Sequence, residues 1–321
     1  MKTWKSLLAV ALAFACGIGA AQPAAYPSKP VHVIVPYPAG GMPDRVARDV
    51  GRELQLRLNQ PVVVENKPGA SGSIGFELAA RQPADGYTLV LAPASNLTTQ
   101  KTLFKSAGYE PDDFVPLSIL VQAPQVLLVN NSVQARTVGE LVTLAKAQPG
   151  KLNFGATLGA FSHLAGELLQ TQAGAKMTTV PYQGSNLAVQ DLIGGHVQLM
   201  FYDSVSAIPL IQGGKVRALG VASSSRLPAL PDVPTMNESG LSGFEAISWY
   251  ALVARTGTPA PVMERLSSEL QDIVKSPALR KRYEDMGAAT VGSTSKEAAA
   301  FVKAEAAKWQ GVVKAAGLQP N

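Results

Sequence analysis

The sequence predicts an α/β protein folded as a two-domain clamshell, in which each domain is a mostly parallel sheet flanked by helices. Short runs of β-branched and apolar residues, typical of buried strands, alternate with segments of helical periodicity. This alternation occurs twice along the chain, and most predicted strands end in polar turns rich in glycine. Because strands joined by helices pair in parallel, two such units predict two domains with largely parallel sheets.

The first unit starts with an apolar strand over residues 31–35 and a turn, Pro36-Tyr37-Pro38-Ala39-Gly40-Gly41, that opens a helix over residues 43–58. A turn of this kind directs free backbone N–H groups and the positive end of a helix dipole toward the space above the strand. It is therefore a candidate anion site. Strands over residues 62–65 and 88–92 and a helix near residues 74–80 complete the unit.

The middle of the chain repeats this pattern. Thr137 is followed three residues later by Glu140, a capping-box spacing that marks the start of a helix. The other predicted elements are strands over residues 125–129, 152–155, 177–180, 197–201 and 216–222 and helices over residues 163–173 and 187–193.

An extended apolar segment over residues 246–254 precedes three terminal helices, which begin at Thr258-Pro259, at Ser276-Pro277 and at Thr294 with Glu297. The third helix places Val302, Ala306, Trp309 and Val313 on one stripe, which we interpret as a core face.

Two segments of the chain connect the predicted units, near residues 118–124 and 244–248. We therefore assign residues 22–122 plus 248–321 to domain 1 and residues 123–247 to domain 2. Two crossing segments form a hinge with a cleft beneath it, and open α/β sheets bind ligands beyond the carboxyl ends of their strands.

The first 21 residues have the features of a secretory signal peptide: Lys2 and Lys5 precede an apolar stretch that ends in small residues before Gln22. We expect no lipid anchor on Cys16, because the residues before it lack the usual lipoprotein pattern. Removal of this leader takes away the only cysteine and lowers the formal charge from +5 to +3. We expect the mature chain to be soluble, because no mature segment is long and apolar enough to cross a bilayer, and we expect it to be a monomer. We expect no nucleic-acid partner, because its cations form no stripe or tail.

Catalytic motifs are missing from the sequence. The three histidines form no metal motif, Ser73 stands where a nucleophile elbow needs glycine, and Val216 follows Gly213-Gly214-Lys215 where a P-loop needs Ser or Thr. We predict that the protein is not an enzyme and that it has no cofactor and no metal.

Several glycine-rich or polar turns follow predicted strands and supply N–H groups, hydroxyls and amides that could surround a carboxylate. Asp203, in the last of these turns, carries a negative charge, whereas the other candidate groups are neutral donors. It either accepts a hydrogen bond from a ligand ammonium, hydroxyl or ordered water, or caps the helix that follows. The glycine-rich or polar turns that follow predicted strands are residues 38–41, 66–73, 93–96 (with Asn96), 155–159, 182–185 and 202–204.

Motifs along the whole mature chain resemble the Bug family, the extracytoplasmic solute receptors of tripartite tricarboxylate transporters. They are Tyr26-Pro27-Ser28-Lys29-Pro30, the 36–41 turn with Asp44, Asn66-Lys67-Pro68-Gly69-Ala70, Ala84-Asp85-Gly86-Tyr87-Thr88-Leu89, His163-Leu164-Ala165-Gly166-Glu167-Leu168, Val180-Pro181-Tyr182-Gln183-Gly184, Asp191-Leu192-Ile193-Gly194-Gly195, Gly214-Lys215-Val216-Arg217-Ala218-Leu219 and Leu230-Pro231-Asp232-Val233-Pro234-Thr235.

The resemblance implies a periplasmic binding protein that closes on a small carboxylate and delivers it to a permease of one large and one small membrane subunit. It also implies that backbone amides and ordered waters hold the carboxylate. Carried over to this sequence, the carboxylate-binding residues are Pro38, Ala39, Gly40, Gly41, Ala156, Thr157, Gly159 and Ser162. Tyr182, Gly184 and Asp203 would line the far wall.

The sequence departs from the family pattern in the second turn, which is one residue shorter and contains Leu158 and Phe161. We hypothesise that Phe161, Tyr202 and Tyr37 make the pocket suitable for an aromatic or partly apolar acid. Two alternative functions are a sensory receptor that presents its closed form to a sensor protein and an envelope enzyme acting on an organic acid.

Overall fold

The computed structural model describes residues 26–104 and 108–318, and the α/β class is confirmed there. The predicted leader and Cys16 lie outside the described residues. The strands are β1 (Val31–Val35), β2 (Val62–Asn66), β3 (Thr88–Pro93), β4 (Phe114–Val129), β5 (Asn153–Ala156), β6 (Thr178–Pro181), β7 (Leu199–Asp203), β8 (Arg217–Val221), β9 (Ile247–Arg255) and β10 (Ala289–Thr290).

Helices flank the strands, and two short 3₁₀ turns cover Ala70–Gly72 and Pro111–Asp113. The helices are α1 (Met42–Leu58), α2 (Ser73–Ala80), α3 (Ala94–Thr98), α4 (Gln100–Leu103), α5 (Val138–Ala147), α6 (Phe161–Ala173), α7 (Ser185–Gly194), α8 (Ser204–Gln212), α9 (Ala260–Val274), α10 (Pro277–Asp285) and α11 (Ser295–Ala315). Among the described residues no helix combines the length and the apolarity that a membrane span requires.

The strands form one mixed sheet in the order β2-β1-β3-β9-β4-β7-β5-β6, with β8 and β10 also paired to β4. Strand β1 is parallel to β2 and β3, and β5 is parallel to β6 and β7, as expected for strands joined by helices. Strands β4 and β9 are antiparallel to each other. Strand β4 is also antiparallel to β7, and β9 is also antiparallel to β3. The sheet is therefore parallel in its outer parts and antiparallel at its centre.

Strand β4 connects the two halves of the molecule. Its residues 114–124 pair with β9, and its residues 125–129 pair with β7 and β8. The sequence predicts this strand only over residues 125–129, so the predicted start at residue 125 was wrong. Residues 114–124 were missed because Pro116 and Pro124 interrupt the apolar pattern. A register shift after Pro116 lets the ladder continue past it.

We name the two halves by their strands. Lobe 1 contains β1, β2, β3, β9, β10 and residues 114–124 of β4, and lobe 2 contains β5 to β8 and residues 125–129 of β4. The predicted domain boundaries fall inside the β4–β9 ladder, where Ala123 is paired with Ser248. Those boundaries stay a prediction, but both crossing segments are paired strands.

Side chains alternate across the lobe 1 sheet. Val31, Val33 and Val35 belong to a core beneath α1, α9 and α10, whereas Ile34 belongs to a second core that continues into lobe 2. Helix α11 packs on this second core. It also contacts α6, since the centroid of the Trp309 indole lies 4.6 Å from the centroid of the Phe161 ring. The capping box predicted at Thr294 and Glu297 is confirmed at its start.

Three helices escaped prediction: α3, α4 and α8. The first two have five and four residues, too few to show a helical period, and Pro209 interrupts the pattern of α8. Helices α3 and α8 follow directly on strands β3 and β7 and help to form the space between the lobes.

Gly166 lets α6 pack closely on β5. A Cβ at this position would overlap the ring of Phe154, whereas Gly311 on α11 has no neighbour within 4 Å among the described atoms. Because alanine is the better helix former, Gly311→Ala should raise the free energy of unfolding by up to about 1 kcal/mol. Gly166→Ala should lower it by about 2 kcal/mol, because the ring must move.

Urea unfolding of both variants measures this difference in sign. If Gly166→Ala stabilises the protein as Gly311→Ala does, the close packing of α6 on β5 is refuted.

Candidate functional site

A cleft of about 390 Å³ lies between the lobes, beyond the carboxyl ends of β1, β3, β5, β6 and β7. Its volume is in the range of small-molecule sites. Ten of the residues singled out from the sequence line it: Tyr37, Pro38, Ala39, Gly41, Thr157, Phe161, Ser162, Gly184, Tyr202 and Asp203.

The turn after β1 contributes backbone N–H groups to the lobe 1 side of the cleft. Gly40 has a φ of +85°, which favours glycine, and its N–H donates to the Asp44 carboxylate at 3.0 Å. Within the described chain, the N–H groups of Ala39 and Gly41 donate to no protein acceptor. A carboxylate at this turn would therefore meet the amides of Ala39 and Gly41, and the prediction of a free Gly40 amide was wrong.

Asp44 stabilises the start of α1. Burial by itself raises the pKa of Asp44, but hydrogen bonds from Arg48, the Gly40 N–H and Asn66 outweigh burial, so the pKa lies below its usual value. A carboxylate in the first helical turn is also favoured by the helix dipole. The protein thus places one anion of its own beside the turn.

The turn after β5 contributes hydroxyl groups from lobe 2. Thr157 and Ser162 are 3% and 5% exposed, and neither hydroxyl oxygen has a hydrogen-bond partner among the described residues. Leaving such a group unpaired costs about 1–3 kcal/mol. These two hydroxyls therefore mark a place where a bound molecule or ordered water completes the hydrogen bonding.

Five helices of lobes 1 and 2 begin at the cleft. Their N-cap residues all line it and are Gly41 of α1, Pro93 of α3, Ala160 of α6, Gly184 of α7 and Asp203 of α8. In the described structure none of these five starts has a side-chain cap, whereas Thr137 and Thr294 cap α5 and α11 away from the cleft. The cleft thus faces uncapped N–H groups with the positive ends of helix dipoles.

Asp203 lies at the hinge, and the strands that connect the lobes supply its partners. Gln125 Nε2 donates to Oδ1 at 2.6 Å, and the Tyr250 hydroxyl donates to Oδ2 at 2.8 Å. Burial raises the pKa of Asp203, although hydrogen bonds from Tyr250, Ser248 and Gln125 oppose the shift. The carboxylate sits at the N-cap of α8 without capping it, so the helix-cap interpretation was wrong.

Aromatic side chains form much of the remaining wall. Phe161 and Trp249 pack against α11, where Glu305 accepts hydrogen bonds from the indole N–H groups of Trp249 and Trp309. The Tyr202 hydroxyl donates to Asn186 at 2.9 Å. With their polar atoms engaged elsewhere, these rings present mainly apolar surface to the cleft.

The lobes also touch beside the cleft. Residues 69 to 72 all have positive φ, including Ala70 at +46° and Ser71 at +51°, a strained conformation for residues with a side chain. This loop directs the Ser71 hydroxyl to the Leu158 carbonyl of lobe 2, at 2.9 Å. The structure is therefore closed at this edge.

The family model for the tripartite tricarboxylate transporter family receptor matches residues 46–318. The chain belongs to this family. Protein BugT of Bordetella pertussis is 37% identical over 319 residues, which is 98% of each chain. The predicted Bug-family membership is thereby confirmed.

Solved structures of similar proteins have the same fold. The structure of the periplasmic binding protein BugD is 36% identical, with a TM-score of 0.86 over 92% of this chain and 100% of BugD. Rpa4515 of R. palustris with adipate is 32% identical, with a TM-score of 0.89 over 92% of this chain and 100% of that one. MatC of Rhodopseudomonas palustris with bound malate is 32% identical, with a TM-score of 0.85 over 90% and 100%.

Five predicted site residues of this Bug-family receptor lie off the cleft wall. Besides Gly40, they are Gly159, whose N–H donates to His163 Nδ1 at 3.3 Å, and Ala156, which is fully buried at the end of β5. Asn96 is also fully buried, and its amide holds the Ser71 carbonyl at 3.0 Å. Tyr182 turns to α7, where Asp191 accepts from its hydroxyl at 2.6 Å.

The receptor's cleft includes residues that sequence reasoning missed, chiefly Gln125, Ser248, Trp249 and Tyr250. They lie on β4 and β9, inside runs that resemble ordinary core strands. Their position in the sequence could have identified them, because the sequence predicts that segments near residues 118–124 and 244–248 cross between domains. Residues next to a hinge face the cleft beneath it.

The pKa shift of Asp44 predicts a pH dependence of the receptor's stability. A folded-state pKa below the unfolded value stabilises the fold at neutral pH, and this contribution is lost as the pH falls through the folded pKa. Asp44→Asn should lower the free energy of unfolding by about 1–2 kcal/mol near pH 7. The deficit should shrink toward acid.

Chemical denaturation between about pH 7 and about pH 3 measures this deficit. The control is Glu53→Gln, an exposed position on the same helix, which should change stability by less than about 0.5 kcal/mol. A deficit for Asp44→Asn that stays constant across this pH range would contradict the prediction.

Proposed function

We propose that this receptor captures a small carboxylate in the cleft between its lobes in the periplasm and delivers it to a membrane permease of one large and one small subunit. Closure of the lobes buries the ligand and creates the surface that the permease recognises. The receptor itself performs no chemistry on the ligand.

The unpaired hydrogen-bond donors of the cleft carry this proposal. Ala39, Gly41, Thr157 and Ser162 all line the cleft. The N–H groups of the first two and the hydroxyls of the last two have no protein acceptor among the described residues. The described lining contains no Lys, Arg or His. Neutral donors and helix N-termini are sufficient to hold a carboxylate, because their dipoles already point at it.

The walls favour a ligand with apolar carbon. Phe161, Tyr202 and Trp249 line the cleft beside the donors, so a ligand that fills it buries apolar surface at one part and a carboxylate at another. We therefore propose an aromatic or partly apolar acid. The relative Rpa4515, solved with adipate, and MatC, solved with malate, support the carboxylate class.

Two measurements test the proposed ligand class. Mass spectrometry after denaturation of the purified receptor should identify a retained organic acid. Thermal shifts across a panel of acids should show stabilisation by benzoate-like or medium-chain acids. Stabilisation by citrate or malate alone would reject the partly apolar ligand, and no stabilisation by any acid would reject the carboxylate receptor.

Delivery to the permease needs its own measurement. Cells that express the permease should take up the acid only when the receptor is present. Equal uptake without the receptor would contradict the delivery role.

The unpaired hydroxyls allow a sharp mutational test. Thr157→Val and Ser162→Ala remove hydroxyls that the empty protein does not use, so the stability of the unliganded protein should stay the same or rise. Affinity for the acid should fall about tenfold for each variant, because each loses one hydrogen bond to a charged group. Calorimetric titration and thermal melts of the same samples measure both quantities.

Thr99→Val is the matched control. The Thr99 hydroxyl is equally buried and unpaired among the described residues, but it lies outside the cleft lining. Its loss should leave affinity unchanged. If all three variants bind the acid as the parent protein does, the hydroxyls do not hold the ligand.

A further inference from the structure

The part of the cleft nearest the hinge differs chemically from the turns that carry the donors. Here β4, β7 and β9 meet, since Gln125 of β4 is paired with Asp203 of β7, and Ser248 and Tyr250 lie on β9. Both oxygens of the Asp203 carboxylate already accept hydrogen bonds, one from Gln125 and one from Tyr250. The Ser248 hydroxyl also hydrogen-bonds this carboxylate, so three of its four lone pairs are used and one remains available.

The orientation of the Gln125 amide follows from these contacts. Its Nε2 lies 2.6 Å from Asp203 Oδ1 and 2.8 Å from Ser248 Oγ. An ionised carboxylate only accepts hydrogen bonds, so the NH₂ group must face it and the Oε1 atom must point elsewhere. Gln125 is 2% exposed and lines the cleft, and its Oε1 has no partner among the described residues.

The hinge end of the cleft therefore presents acceptors. The Asp203 carboxylate and Gln125 Oε1 have free lone pairs. The Tyr250 hydroxyl already donates its hydrogen bond to Asp203 and is not available as a donor. Among the described lining residues no cationic side chain offsets the Asp203 charge. A second ligand carboxylate placed here would meet like charge, and the Tyr250 and Ser248 hydroxyls that could donate to it already hydrogen-bond Asp203, which is unfavourable in a partly desolvated site.

We propose that the ligand is a carboxylic acid whose other end carries a hydrogen-bond donor, a hydroxyl, amide N–H or ammonium group, received by Asp203 and by Oε1 of Gln125. This rests on the proposed function. The acid end lies at the uncapped helix N-termini and the donor end at the hinge. Burial of Asp203 without a cation, which raises its pKa, is consistent with a site that a donor completes.

The donor end also makes closure sensitive to the ligand. Gln125 lies on β4, which crosses between the lobes, and Tyr250 lies near the start of β9, where the chain returns to lobe 1. A group bound to Asp203 and Gln125 therefore contacts the hinge itself. An acid without a donor leaves Gln125 Oε1 unpaired in the closed state. A site built around buried acceptors rejects analogues that lack the matching donor.

Matched acids test this specificity directly in calorimetric titrations of the purified receptor. The aromatic series is benzoate, para-hydroxybenzoate and terephthalate. The aliphatic series is hexanoate, its terminal hydroxy and amino derivatives, and adipate. In the series that fits the cleft, the donor-bearing acid should bind at least about tenfold more tightly than both the unsubstituted acid and the diacid.

Two variants connect the preference to the named groups. Asp203→Asn introduces an amide that donates to a carboxylate, so the preference should shift toward the diacid. Gln125→Met removes the unpaired acceptor, so the advantage of the donor-bearing acid over the unsubstituted acid should fall several-fold. Tyr202→Phe, a cleft residue whose hydroxyl bonds to Asn186, is the control and should change all acids of a series alike.

Thermal melts of each variant identify any that fails to fold, and the parent protein's own ranking of acids remains a test by itself. Tightest binding of adipate or terephthalate to the parent protein would overturn the proposal, as would unchanged preferences in both folded variants. The absence of binding for every acid would refute the proposed carboxylate function instead.

Discussion

The antiparallel ladder between β4 and β9 positions every part of the cleft. It runs from Phe114 opposite Arg255 to Pro124 opposite Ile247, and β4 then continues into lobe 2 as the partner of β7 and β8. Because the two connections between the lobes are hydrogen-bonded to each other, they behave as one ribbon. The turns of the two lobes border one cleft because this ribbon joins the two parts of the single mixed sheet.

The cleft has unpaired hydrogen-bond donors at one end and an unpaired hydrogen-bond acceptor at the other. Toward the turns, helices begin without side-chain caps, and the hydroxyls of Thr157 and Ser162 lack partners in the described structure. Toward the hinge, the unpaired atom is the acceptor Oε1 of Gln125. Each costs stability in the empty protein, and a bound ligand recovers that cost as affinity. Under the proposed function, this arrangement sets the direction in which the ligand binds, with its acid end and its donor end at different places.

Much of the fold was accessible from the sequence because it depends on local periodicity. The apolar face of α1 and the capping residues Thr137 and Thr294 were each identified within a few residues of their place in the structure. The start of β4 was missed, because its prolines interrupt a local pattern that is tolerated only through bulged pairing with β9. Helix α8 was missed for a similar reason at Pro209.

The site was accessible only in part. The glycine-rich turns are visible in sequence, but whether an amide in such a turn is free depends on what packs around it. The N–H of Gly40 is taken by Asp44 and that of Gly159 by His163, whereas the neighbouring Gly41 amide remains unpaired in the described chain. Single-sequence patterns do not distinguish these cases, since all three glycines occur in similar turns.

By itself the sequence determined the α/β class, the two units, the family and the turns that border the cleft, because each follows from local spacing and composition. Only the tertiary structure decided which amides are free and that Gln125, Ser248 and Tyr250 surround Asp203. These residues come from strands separated by up to 125 positions in the chain, and only the pairing of β4 with β7 and β9 brings them together.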